Sequence, residues 1–184
     1  MGTAKILIFL AAAGLAACAA AVTLKVNEGT EYYYGRVSFL SPDGRLPYGN
    51  TESAVKREIS AGGARITETV TQPAPSPSMK PETIVTVMTR RKKTLVYDAA
   101  DAGKTFSGTV TFLSPDLKSW TYDIKLAAGG TVKGKGSIVK KALTTDKQLE
   151  GVKRPMRIKE ELKAVSEDMY RIRLSEFNPP GGAE

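Results

Sequence analysis

Gly35-Arg36-Val37-Ser38-Phe39-Leu40-Ser41-Pro42-Asp43 recurs later in the chain as Gly108-Thr109-Val110-Thr111-Phe112-Leu113-Ser114-Pro115-Asp116. Each copy has an apolar residue at every second position, the signature of a strand with one buried face. Each then runs into Ser-Pro-Asp, where proline presets φ for the first turn position and Ser or Asp can bond nearby backbone amides. The first copy closes with Gly44, which suits a left-handed last turn residue. One copy opens the front half of the chain and the other the back half. The chain therefore reads as a long antiparallel meander built in two similar parts.

Working outward from the copies, strands are expected at Tyr32 to Leu40, Ala54 to Ser60, Arg65 to Thr71, Ile84 to Arg90, Thr94 to Asp98, Thr105 to Leu113, Ser119 to Ala127, Val132 to Val139, Met156 to Val165 and Met169 to Phe177. Ala61-Gly62-Gly63, Ala128-Gly129-Gly130 and Ser166-Glu167-Asp168 are short enough to join antiparallel neighbours. Past residue 21 no stretch sustains an apolar repeat at helical spacing, and only Thr144 to Gly151 is left for a helical turn or two. The fold class is all-β. About ten strands joined by short turns leave long edges unless the sheet closes on itself, so a barrel is expected, with a two-sheet sandwich as the alternative.

The hairpin after the second copy alternates Trp120, Tyr122, Ile124 and Leu126 with polar residues, and returns through Val132, Gly134, Gly136 and Ile138. Closing it around Ala128 to Gly130 sets Tyr122 against Gly136, Ile124 against Gly134 and Asp123 against Lys135. Large over small fills a narrow barrel; the same glycines would also leave room for a ligand over the aromatic face. Beyond the Gly-Gly turns the halves diverge, because the apolar parity of Arg65 to Thr71 is one residue out of step with that of Val132 to Val139. A one-residue slip exchanges the faces of a strand, so ancient duplication and recurrent hairpin chemistry both stay open.

Residues 1 to 17 pair one lysine, Lys5, with the apolar run Ile6 to Ala17, too short to cross a bilayer and ending in small residues, as secretory signals do. Leu15-Ala16-Ala17-Cys18 resembles the lipobox of bacterial lipoproteins, which implies cleavage before Cys18 and acylation of its thiol. Cys18 is the only cysteine, so no internal disulfide competes for it. Cleavage after Ala19-Ala20-Ala21 in an ordinary signal is the alternative. With Ala19 after the cysteine, the resemblance implies the outer membrane, facing the periplasm. Residues 18 to 31 then read as a lipidated tether, with an edge strand at Val22 to Val26. Residues 32 to 177 form the barrel domain and residues 178 to 184 a frayed tail. The Pro-rich Gln72 to Pro81 is an extended loop, placed to act as a flap over a barrel mouth.

The formal charge of +8 falls by one when Lys5 leaves with the signal. Most cations are spread along the strands; Arg90-Arg91-Lys92-Lys93 is the exception and reads either as a solvated turn or as a contact for an anionic surface. In an exported protein that partner is lipid rather than nucleic acid. With no histidine and no second cysteine there is no Ser-His or Cys-His nucleophile and no ordinary zinc or haem site. No cofactor, metal site or enzymatic activity is expected. Glu68 shares a face with Ile66 and Val70, Glu160 with Ile158 and Leu162, Glu176 with Ile172 and Leu174, and Arg57 lies between Val55 and Ile59. If those faces turn inward, the carboxylates are paired, hydrated or neutral, and Arg57 can pair with one or receive a ligand's carboxylate.

In strand number and meander order, residues 32 to 177 resemble the calycins, the lipocalins and fatty-acid-binding proteins. That resemblance implies a binding module for a small apolar or amphipathic molecule. Phe112, Trp120 and Tyr122 are the expected wall, and Arg57, Glu68 and Glu160 the polar contacts. The second reading is a structural or interaction protein with a packed core and a basic surface for headgroups, glycans or a partner.

Overall fold

A computed structural model describes residues 21–74 and 79–177. The expected signal, Cys18, the middle of the Pro-rich loop and the expected tail lie outside the described residues. Ten antiparallel strands, each paired with the next in sequence, close into a barrel when the first meets the last. They are β1 (Gly29–Leu40), β2 (Pro47–Ser60), β3 (Arg65–Gln72), β4 (Glu82–Arg90), β5 (Val96–Asp101), β6 (Phe106–Phe112), β7 (Ser119–Leu126), β8 (Thr131–Val139), β9 (Ala142–Glu150) and β10 (Met156–Val165), followed by one helix, α1 (Glu167–Phe177). Closure leaves no free edge, which is why a long meander can persist without aggregating. The outward positions carry Lys56, Asp123, Lys135 and Glu161 rather than the apolar band of a lipid-facing barrel.

The two copies of the repeat behave alike locally. Val37 and Val110 are both buried. Gly35 and Gly108 both sit where a side chain would collide with the backbone of a neighbouring strand, on β10 and β7 respectively, so glycine lets the wall bend there. In each turn a serine hydroxyl donates to the following aspartate, Ser41 to Asp43 and Ser114 to Asp116. Each aspartate also accepts a backbone amide, from Arg45 at 3.1 Å and from Lys118 at 3.2 Å. Register then separates the halves: Val37 pairs with Thr51, but Val110 pairs with Tyr122, so the second hairpin is two residues tighter.

Three expectations are corrected. Met169 to Phe177 is helix, not strand. Ser166 caps it by accepting the Met169 amide at 3.2 Å, and Glu167 pairs with Arg171 one turn on. Tyr170, Leu174 and Phe177, at helical spacing, cover Tyr32, Tyr34 and Ala54 on the outside of β1 and β2. Glu176 therefore faces solvent and pairs with Arg173 at 2.7 Å instead of entering the core. Second, Thr144 to Glu150 lies in a strand, β9, and Gly151 follows its end. The turn before β9 is Lys140-Lys141, both left-handed at φ 48° and 66°, a two-residue hairpin turn made without glycine or asparagine. Third, the β7–β8 register is displaced by two residues, so Trp120 faces Gly136, Tyr122 faces Gly134 and Asp123 faces Lys133. A shift of two preserves the inward face, so large still lies over small. A side chain at Gly136 would sit 2.5 Å from the Trp120 indole.

Val22 to Val26 is extended but pairs as no strand; it lies across one end of the barrel as a strap. The Val22 amide donates to the Lys93 carbonyl (3.0 Å) and the Lys25 amide to the Pro115 carbonyl (2.8 Å). Leu24 and Val26 pack against the core beneath the Ala61–Gly63 turn.

Candidate functional site

The interior divides across the barrel axis. At the strapped end Tyr97, Phe112 and Trp120 form a chain of ring contacts, with centroids 4.9 and 5.8 Å apart. Ile59, Ile66, Leu117, Leu143 and Leu162 fill the remaining space. Arg57, only 2% exposed, lies inside this packing. Its guanidinium donates to the Leu117 carbonyl (3.1 Å), reaches Glu31 at 3.4 Å and stands 5.4 Å from the Trp120 ring centroid, so its charge is met by a dipole, a carboxylate and a π face. Glu31 also accepts from the Tyr33 hydroxyl at 3.0 Å. Burial and that neighbouring carboxylate push the Tyr33 phenol well above its ordinary value.

The other half is hollow. A cavity of about 320 Å³ is walled by Phe39, Val70, Ile84, Phe106, Leu126 and Val132, among others. It lies toward the end that carries the β1–β2, β3–β4, β5–β6, β7–β8 and β9–β10 connections, and opens there.

Polar groups line the cavity floor. Glu160 accepts from the Thr145 hydroxyl (2.5 Å) and from the Lys147 ammonium (2.9 Å). Burial opposes the charge on Glu160, yet Lys147 and the two hydrogen bonds outweigh it and hold the carboxyl below the usual glutamate range. Burial likewise opposes the charge on Lys147, and Glu160 with Tyr122 overcomes it, so the lysine stays protonated. Lys147 lies 5.3 Å from the Tyr122 ring centroid, with Gly134 between them in the sheet. Glu68 differs. It faces Arg57 across β2–β3 and is enclosed by protein, but touches the cavity and makes no protein hydrogen bond among those described. Burial raises its carboxyl above the usual range, against the pull of Arg57 and Lys147.

Of the residues expected from sequence, Tyr122, Glu68 and Glu160 line the cavity. Arg57, Phe112 and Trp120 sit in the packed half, outside the cavity wall. Lys147, Phe106 and Val132 belong to the cavity and were not singled out. Lys147 escaped notice because it lies on β9, the strand hidden by its glycine-free turn. The basic run splits: Arg90 is structural, donating to the Thr94 and Val22 carbonyls, and Arg91 pairs with Asp98. Lys92 and Lys93 stand in solvent. Among the described residues no cluster of acids could hold a metal ion, and no helix is long and apolar enough to cross a membrane.

Comparison with protein-family models matched no family, and a search of curated proteins found no relative.

Proposed function

We propose that the chain is an acylated bacterial envelope lipoprotein whose barrel holds one small amphipathic molecule in its open half. The cavity carries this reading. Its 320 Å³ is at the low end of ligand sites, with room for about ten waters, so the cargo is small. Its walls offer apolar surface to a hydrocarbon body. Its floor offers a carboxyl raised toward its neutral, proton-donating form at Glu68 and a cation at Lys147, groups suited to one hydroxyl, carbonyl or carboxylate. The acylation reading rests on Leu15-Ala16-Ala17-Cys18, and the outer-membrane address on Ala19.

Native mass spectrometry of the protein extracted from its own cell envelope tests both parts. The expected spectrum shows a chain beginning at acylated Cys18, with a further small mass that leaves on denaturation. A bare protein mass, unchanged after incubation with total lipid extract, would overturn the cargo reading. An unacylated amino terminus would overturn the anchor.

A further inference from the structure

Six exposed lysines far apart in sequence meet at the strapped end. Lys25 comes from the strap, Lys92 and Lys93 from the β4–β5 turn, Lys118 from the β6–β7 turn, and Lys140 and Lys141 from the β8–β9 turn. Alternating strand direction in a closed meander sends every second turn to the same end, so topology alone gathers them. Among the described residues, none of the six is in an ion pair. Of the acids at this end, Glu28 accepts from the Gly62 amide, Asp98 pairs with Arg91, Asp116 is held in its own turn and Glu167 pairs with Arg171, while Asp168 is exposed without an ion-pair partner among the described residues, which leaves the lysines in excess. The cavity mouth is closer to balance, with Arg45 beside Asp43, Lys80, Lys104 and Lys153 set among Glu82, Asp101 and Glu150, and Arg154 lying over the Tyr48 ring.

We infer that the strapped end is a docking face for an anionic phospholipid surface, which turns the cavity mouth away from the membrane. The membrane in this inference comes from the envelope reading above, whereas the charge asymmetry stands on the fold alone.

Three observations choose lipid. The strap emerges beside Lys93, and Cys18 lies four residues before Val22, within about 14 Å of extended chain, so an acyl anchor would enter the membrane beside the lysines. Leu113, the residue after β6, and Val139, the last of β8, are 62% and 61% exposed among these turns and give the basic face apolar contacts suited to a headgroup layer. Lys92, Lys140 and Lys141 also occupy left-handed backbone that glycine or asparagine would adopt at less cost; the mouth has one such lysine, Lys104.

The test reads orientation, because the apolar run Ile6 to Ala17 can hold the full chain on any vesicle. A full-length Cys18→Ala chain carries a fluorophore at Lys93→Cys or at Lys153→Cys, on phosphatidylcholine vesicles with headgroup quenchers, with or without phosphatidylglycerol. The Lys93 label is expected to be quenched several-fold more than the Lys153 label, only with phosphatidylglycerol, and to recover in high salt. Near an anionic surface each lysine contributes about fivefold in affinity. Lys92→Gln, Lys118→Gln, Lys140→Gln and Lys141→Gln together should therefore weaken docking more than about a hundredfold. Equal quenching at both labels, stronger quenching at Lys153, or insensitivity to phosphatidylglycerol would overturn the inference. So would capture by a soluble polyanion with no preferential quenching on the vesicle. None of those results touches the cargo reading, which the extracted mass decides separately.

Discussion

The turn from Ser41 to Gly44 and the turn from Ser114 to Leu117 share their hydrogen bonds but serve opposite ends of the barrel. β6 lies five strand-to-strand steps from β1, an odd number, so it runs opposite to β1 and the second turn emerges where the first cannot. At the open mouth the fourth residue is Gly44, at φ 77° and partly exposed. At the strapped end it is Leu117, at φ 56° and fully buried. A left-handed leucine costs about 1 to 2 kcal/mol, and burying its side chain gains about 1.5 to 3 kcal/mol. One local motif, read in two directions, thus plugs one end and leaves the other free to open.

Truncation should separate the halves most sharply. Trp120→Ala removes the ring that fills the space over Gly136 and is expected to cost about 4 kcal/mol. Phe106→Ala, beside an existing cavity, should cost no more than about 2 kcal/mol by the same reasoning. Urea unfolding of both variants measures the contrast, and equal losses would erase it.

The floor glutamates should differ in sign. Glu160→Gln strips the buried Lys147 of its counter-charge and should cost about 3 kcal/mol near neutral pH. Glu160 has a lowered folded value, so its contribution is present above the ordinary value of 4.5 and is lost as pH falls through the lowered one. Glu68 is raised, so its contribution is present below 4.5 and is lost as pH rises through its folded value. Glu68→Gln should therefore gain stability relative to the parent at alkaline pH and gain nothing in acid. Thermal melts across the pH range read both slopes.

Exchanging the turn residues is a smaller perturbation. Leu117→Gly relieves backbone strain but loses the plug, a net cost of about 1 kcal/mol, whereas Gly44→Leu adds strain with nothing to bury and should also cost about 1 kcal/mol. A gain from either exchange would break the account of the two turns. The smallest effect is a gain: Lys140→Asn with Lys141→Gly should stabilise the barrel by about 1 kcal/mol in thermal melts, because its backbone suits that pair better.

Much of this comparison is legible in the sequence, and the misses have physical causes. Period-two alternation placed Arg57, Glu68 and Glu160 inside because side-chain parity survives any register shift of two. It could not divide the interior into packed and hollow halves, because that depends on how far along each strand a residue lies and on which end each turn reaches. Turn chemistry failed at Lys140-Lys141, where left-handed lysines hide a hairpin, and with it β9 and Lys147 were missed. At α1 the alternation of Tyr170, Arg171, Ile172, Arg173 and Leu174 resembled a strand; Ser166-Glu167-Asp168, read as a turn, is a helix cap with acids in the first turn.

The most direct test of the half-hollow barrel is calorimetric titration of decanol and decanoate into the parent protein and into Val132→Trp, which fills the cavity from its wall. One molecule should bind per parent chain, with at least about a tenfold loss in the variant while its melting temperature stays near the parent's. Absence of binding to the parent, or equal binding to both, would contradict an open half built to hold a ligand.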